Sequence, residues 1–212
     1  METEEIREKK EPKRLPVWAC ILLFALGLFV CMGLYGTIGF GLLSLILGDE
    51  ARHPGLLVYT VTEANMLLSV LTPAVILLYF ERRPFSDLGL TLKGHVRGLW
   101  YGLLVAMLLY LIGFGLSLAI GEVEVTGFQF DPLNLLGTFV FCLLVALTEE
   151  IMMRGYILGR LLHTRMNKFL ALFVSALLFA LLHIFNPNVA FLPMLNLVIA
   201  GMLIGASYLY TR

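Results

Sequence analysis

The sequence predicts an all-α protein, a polytopic transmembrane helical bundle with about six spans. Three observations lead to this prediction. Hydrophobic residues make up 59% of the 212 residues and charged residues only 14%, whereas an ordinary soluble domain carries about 25% charged residues. Several apolar runs reach the length of about 20 residues that crosses a bilayer as a helix. The loops between these runs alternate in charge. This composition excludes an ordinary soluble domain.

The apolar runs define the predicted elements in order. The six spans are Leu15–Leu47, Leu56–Phe80, Val96–Ile120, a run from Leu133 past Glu150, Phe169–Phe185 and Val189–Tyr210. The first span is long and rich in glycine, and we expect a break near Gly36–Gly41. A single membrane domain, residues 15–212, is expected after a basic tail, Met1–Arg14. That tail is too charged to begin a cleavable signal peptide.

The loop charges predict the topology. One basic loop carries Arg82, Arg83, Lys93 and Arg97, and the other carries Arg154, Arg160, Arg165 and Lys168. Between them, the segment Gly121–Asp131 is purely acidic. Because basic loops stay in the cytoplasm, six spans with a cytoplasmic N-terminus satisfy every loop. We expect an integral membrane protein of the bacterial plasma membrane.

Three glycine pairs at helical spacing predict close helix packing. These pairs are Gly98 with Gly102, Gly155 with Gly159, and Gly201 with Gly205. Small residues one turn apart allow the backbones of neighbouring transmembrane helices to approach closely. We expect most of this packing to lie within the bundle rather than between two copies of the chain.

Two adjacent carboxylates beside the fourth span predict a functional site. An ionisable group is costly within a bilayer, so Glu149 and Glu150 need a reason to be there. Glu150 and Arg154 are one helical turn apart in the acid-first order that favours an ion pair. Glu149 points about 100° away from Glu150 on the same helix. It therefore has no such local partner and is the candidate for chemistry.

His183 is the predicted partner of Glu149. The fourth and fifth spans are joined by a basic segment centred near Met166, and both residues lie equally far along the chain from that point. If both arms are helical and antiparallel, each side chain lies roughly 25 Å from the turn. A carboxylate there can act as a general base on water. The imidazole can donate to a developing oxyanion or share the water. The alternative is a Glu–His or Glu–Arg network that only locks the helices together.

The arrangement of these residues resembles a known protease family. Glu149–Glu150–x–x–x–Arg154, followed by Phe179–x–x–x–His183, is similar to the first two motifs of the CAAX-protease and bacteriocin-processing family, abbreviated CPBP or ABI. This family includes intramembrane proteases related to the Ras-converting enzyme. The loop Phe85–Leu90 is similar to one that precedes the family core. Asn196 with Gly201 and Gly205 resembles its third segment, so the resemblance covers about 85–212.

The resemblance implies an intramembrane endopeptidase in which Glu149 activates water. His183 would help to bind that water or stabilise the tetrahedral intermediate, and Glu150, Arg154, Phe179 and Asn196 would organise the site. Many family members carry a metalloprotease label, but no HExxH helix occurs here. We expect no cofactor, with zinc held by Glu149 and His183 as the alternative.

The family also has a fourth motif, a His and an Asn one turn apart on a further helix. This motif has no counterpart before Arg212. We therefore expect either a truncated chain or a member that lacks the motif.

The expected partners are a peptide or protein tail in the membrane, with prenylated tails among the candidates, and membrane lipids. No nucleic-acid-binding face is visible. Two other functions stay open from the residues alone. One is a non-catalytic bacteriocin-immunity or scaffold protein. The other is a small proton-coupled transporter that uses Glu63 and Glu149. Glu63 and Asn65 lie near the outer end of the second span, and an interfacial position explains them more simply.

Overall fold

A computed structural model describes residues 15–90, 94–187 and 189–211. The predicted basic tail, Met1–Arg14, lies outside the described residues. The helices are α1 (Val17–Leu47), α2 (Leu56–Phe80), α3 (Val96–Ala119), α4 (Pro132–Glu150), α5 (Gly159–Leu162), α6 (Lys168–Leu182) and α7 (Phe191–Thr211). A π-helical segment, Ile151–Leu158, joins α4 to α5 without a break, and short 3₁₀ turns occupy Gly48–Arg52 and Phe85–Leu88. The prediction of an all-α helical bundle is confirmed.

Within the residues that the structure describes, five helical stretches are long and apolar enough to cross a membrane. They are Val17–Arg52, Leu56–Phe80, Val96–Ala119, Pro132–Leu162 and Phe191–Tyr210. The expected break near Gly36–Gly41 is wrong, because α1 runs as one helix through these glycines. An unpaired backbone group costs several kcal/mol in lipid, and this cost favours an unbroken helix.

The remaining predicted span, Phe169–Phe185, is wrong at its end. Helix α6 has 15 residues and stops at Leu182, a length of roughly 22 Å. The backbone N–H of His183 turns back to the carbonyl of Ala180. Pro187 follows shortly and disfavours helical backbone in the residue before it. His183 therefore lies at the end of a helix rather than inside one.

Helices α2 and α4 run parallel and in contact. Leu56 packs against Gly137, and the rings of Tyr59 and Phe141 lie 6.4 Å apart, one turn further along both helices. The start of α4 is fixed by Asp131, whose carboxylate accepts from the backbone N–H groups of Leu133 and Asn134 at 3.0 and 3.1 Å. Such an N-cap satisfies donors that the helix itself cannot pair.

Two of the three glycine pairs make the close contacts that their spacing predicts. Gly155 packs on the backbone of Leu88, and Gly201 packs on Ala176 of α6. The prediction is wrong for Gly98 and Gly102 of α3, since nothing lies within 4 Å of the position that a side chain would take there. No residue of α3 is buried.

A cluster of polar and charged side chains joins the start of α1, the end of α2 and helix α5. Glu81 forms ion pairs with Arg160 and with Arg83, the latter at 4.0 Å. The thiol of Cys20 donates to Glu81 at 2.9 Å. We call this end of the bundle the basic side, and the end that carries the loop 121–131 the acidic side. The contact between the start of α1 and the end of α2 agrees with the alternating loops that the sequence predicts.

Candidate active site

Glu149 and His183 meet inside the bundle. Glu149 Oε1 lies 3.7 Å from His183 Nε2, and the two side chains are 34% and 23% exposed. This distance is too long for a direct hydrogen bond but suits a pair bridged by one water molecule. The antiparallel arms therefore bring the predicted acid and imidazole to the same depth.

The end of α6 orients the imidazole of His183. Its Nδ1 lies 2.9 Å from the carbonyl oxygen of Phe179. A carbonyl only accepts, so this contact assigns the proton to Nδ1. In the neutral ring, Nε2 then presents a lone pair toward Glu149. A water molecule between the two residues could donate one proton to each, which would turn its own lone pairs outward as a nucleophile.

Glu150 and Arg154 form the predicted ion pair. Arg154 Nη1 lies 3.0 Å from Glu150 Oε1, and the arginine side chain is only 3% exposed. The guanidinium also lies over the ring of Phe179, with its carbon 4.9 Å from the ring centroid. That ring meets His183 edge-on at a centroid distance of 4.8 Å. Contacts therefore run without a gap from Glu150 to His183.

The π-helical segment begins directly after Glu150. No pattern in the sequence predicts this segment. A π-helix has wider turns than an α-helix and is often found at functional sites. Its backbone is partly supported from outside, because Ser175 of α6 donates its hydroxyl to the carbonyl of Met153 at 3.3 Å. Arg154 belongs to this segment, so its side chain is positioned by a local backbone form that hydrophobic periodicity does not reveal.

Asn196 lies on α7 and lines the same cleft as His183, away from the contacts of Glu150 and Arg154. The cleft has a volume of about 410 Å³. Apart from these two residues its walls include Asn186, Pro193, Met194 and Leu197. The structure therefore brings Glu149, Glu150, Arg154, Phe179 and His183 into one set of contacts, and places Asn196 next to that set.

The residues that the structure describes offer few ligands for a metal. Among 15–90, 94–187 and 189–211, no group of three His, Cys, Asp or Glu side chains is placed to hold one ion. Glu149 and His183 supply two donors, whereas a catalytic zinc site takes three protein ligands. This donor set does not by itself fit zinc.

The fold and the site define the class of the protein: a helical membrane protein with a half-buried carboxylate–imidazole pair. Residues 131–212 match a family model described as Rce1-like, type II CAAX prenyl endopeptidase. The matched segment holds α4 to α7 and every predicted site residue, so the resemblance to this family is confirmed there and supports a protease of the CAAX type. The part of the resemblance before Asp131 stays a prediction. No curated protein and no solved structure matched the chain.

Proposed function

We propose that the protein is an intramembrane endopeptidase of the CAAX type, which hydrolyses peptide bonds in membrane-associated peptides or protein tails. One observation carries this proposal: Glu149 and His183 lie 3.7 Å apart within the membrane bundle. The Rce1-like match over 131–212 supports it, because both residues fall inside the matched segment.

In the proposed reaction, Glu149 acts as the general base. It takes a proton from water while the water oxygen attacks the scissile carbonyl carbon. His183 holds the same water through Nε2. The C–N bond then breaks, and Glu149 returns the proton to the departing amine nitrogen. Atoms and charges balance, and the step needs no other co-reactant.

The other site residues are proposed to hold this pair in place. Glu150 would balance the buried charge of Arg154, and Arg154 would fix the ring of Phe179. Phe179 would orient His183 through both its ring and its carbonyl. Asn196 would organise the cleft beside His183, where an amide side chain can hydrogen-bond to a peptide backbone.

The proposed substrate is a peptide that reaches the apolar cleft from the membrane. A prenylated tail suits this route, because a buried lipid chain holds a soluble peptide at the bilayer. We place the protein in a bacterial plasma membrane with a cytoplasmic N-terminus, surrounded by lipid and with no nucleic-acid partner. Neither a cofactor nor a metal is assigned.

Glu149→Gln tests the proposal directly. The purified protein is reconstituted in vesicles with a fluorogenic, lipid-anchored peptide. We expect the variant to lose about 10²- to 10⁴-fold in kcat, the usual contribution of a general base. Glu124→Gln makes the same chemical change in the exposed acidic loop and should cleave normally. If Glu149→Gln cleaves as fast as the wild type, the catalytic role is wrong.

A non-catalytic scaffold or bacteriocin-immunity protein is the second candidate. The unbroken contacts from Glu150 to His183 favour it, since they tie α4 to α6 whether or not water is activated. In that case cells that express Glu149→Gln keep full protection against a bacteriocin. Loss of protection together with loss of cleavage supports the protease.

A further inference from the structure

A cavity with one polar wall lies between α1 and α2, away from the cleft beside His183. Its volume is about 230 Å³, far above the roughly 10–15 Å³ that one water molecule needs. The wall contributed by α1 is apolar and includes Met32 and Phe40. The wall contributed by α2 is mixed, because four polar side chains lie beside the apolar Val58 and Met66. The polar side chains are Thr62, Glu63, Asn65 and Ser69.

The polar wall is suited to binding water. Thr62 donates its hydroxyl to the carbonyl of Val58 at 2.8 Å, and Ser69 donates to the carbonyl of Asn65 at 2.7 Å. Each hydroxyl oxygen is left with lone pairs that accept from a water molecule. An ordered water needs two to four polar partners. The wall provides them within one stretch of helix, from the buried Ser69 to the exposed Thr62 at the open side of the cavity.

Glu63 also lies close to the candidate active site. The contacts of Leu56 with Gly137 and of Tyr59 with Phe141 set the register of the parallel helices. One further turn along both helices places Glu63 beside Val145. Glu149 then follows one turn beyond, about 6 Å along the axis. The carboxyl groups of Glu63 and Glu149 are therefore close enough to interact electrostatically.

We infer that this cavity supplies the hydrolytic water and that Glu63 is a positioning residue that hands water from the cavity to Glu149. This inference rests on the proposed protease function. Glu63 and the other residues that line the cavity all lie outside the segment that matches the Rce1-like family. An ionised carboxylate on the wall accepts hydrogen bonds from a water molecule. These hydrogen bonds hold the water in a position from which it can move to Glu149.

Thiol labelling tests whether the cavity is hydrated, without reference to activity. Cys20, Cys31 and Cys142 are replaced, and single cysteines are introduced as Thr62→Cys or Leu68→Cys. Leu68 is on the same helix and is 47% exposed on the bundle surface. A water-soluble methanethiosulfonate reacts with the thiolate, which forms in water and not in lipid. We expect Thr62→Cys to react at least about tenfold faster. Equally slow reaction at both positions would overturn the inference.

Kinetics test the role of Glu63. We expect Glu63→Leu to lower kcat by about 10- to 100-fold with little change in KM, the effect of losing one charge-assisted hydrogen bond. Glu63→Gln should keep part of the rate, because an amide also binds water. Glu124→Gln is the matched control. Full kcat in Glu63→Leu, or a loss that appears only in KM, would refute the positioning role.

The outcomes separate the two proposals. If the wild type cleaves and Glu149→Gln does not, while Glu63→Leu is fully active, only the water route is wrong. If the wild type and Glu149→Gln are indistinguishable, the protease function fails, and the labelling rates still decide whether the cavity holds water. If Glu63→Leu does not fold, Glu63→Asp, whose carboxylate is shorter, replaces it. A normal kcat of Glu63→Asp together with slow labelling of Thr62→Cys would then contradict the inference.

Discussion

Among the described residues, two clusters of charged side chains, each built around a buried arginine, lie at different depths of the helical stretch that runs from α4 through α5. One cluster is the site, with Glu149, Glu150 and Arg154. The other lies on the basic side, where Arg160 pairs with Glu81. Arg160 is 5% exposed and Glu81 is 11% exposed. A buried charge left without its partner is strongly destabilising, so each arginine requires its carboxylate.

The Glu81–Arg160 pair should show strong coupling in a double-mutant cycle. Arg160→Met is expected to cost up to about 3–5 kcal/mol of the free energy of unfolding, because half-buried Glu81 then keeps only the more distant Arg83, at 4.0 Å, as a counter-charge. Adding Glu81→Leu to Arg160→Met should restore part of that loss. Denaturant titration in mixed micelles measures all four forms. Losses that simply add would contradict the coupling.

These residue contacts could be predicted from the sequence in two cases. Either the two residues are one helical turn apart, or they lie equally far along the chain from the turn between two antiparallel helices. Glu150 and Arg154 are one turn apart, so their pairing could be predicted. Glu149 and His183 could be matched by counting from the turn between two helices. Glu81 and Arg160 lie far apart in the chain, and no local pattern joins them. The proton on Nδ1 of His183 also could not be predicted, because it depends on where α6 ends.

At the level of helices, equal glycine spacing leads to different outcomes. Gly155 and Gly201 lie in contacts between elements, whereas Gly98 and Gly102 face open surface along α3. The spacing shows that one face of a helix lacks side chains, so that another helix can approach it closely. It does not show whether another helix covers that stripe. Uniformly apolar spans such as α3 therefore give the least information about packing.

Substitution of Gly155 by alanine should damage the protein, and the same change at Gly102 should not. A Cβ at Gly155 would meet the backbone oxygen of Leu88 at 2.5 Å, and forcing atoms into a packed site typically costs about 1–3 kcal/mol. At Gly102 nothing lies within 4 Å, so alanine should be neutral or stabilise by up to about 1 kcal/mol. Thermal unfolding in detergent compares the two. Equal melting temperatures would show that the contact at Leu88 yields without cost.

The helix ends and the π-helical segment show why only part of the site could be predicted. The order of the apolar helical stretches follows from the positions of the apolar runs in the sequence. The change from α to π after Glu150 depends on tertiary support, such as the hydroxyl of Ser175 at the carbonyl of Met153. The end of α6 at Leu182 depends on the turn that follows. The apolar stretch of α4 and α5 runs through the α-to-π change, and the apolar run of α6 continues past Leu182 as far as Phe185, so hydrophobicity marks neither boundary.

For the whole molecule, the contacts show which helix ends lie on the same side of the bundle, and the loop charges predict which side faces the cytoplasm. Cys20, Glu81 and Arg160 meet at the basic side. From the positive-inside rule we predict that this side faces the cytoplasm. The structure describes how the helices are arranged around the site, which the charge pattern alone did not give.

Orientation is tested with single cysteines in sealed cells, after replacement of the native cysteines. A cysteine at Glu124 should react with a membrane-impermeant thiol reagent added outside, and one at Arg165 should react only after the membrane is opened. Mass spectrometry of the labelled protein gives the fraction modified. The opposite pattern would place the N-terminus outside.

The short helix α6 has a consequence for the bilayer itself. Its roughly 22 Å does not match the ~30 Å hydrocarbon layer, and beyond Leu182 the backbone is no longer helical. Non-helical peptide groups at this depth are tolerated only against protein or water. A short span is commonly accommodated by local thinning of the lipid. The membrane above His183 is therefore expected to dip toward the protein, so that the polar end of a peptide substrate has less hydrocarbon to cross than it would elsewhere.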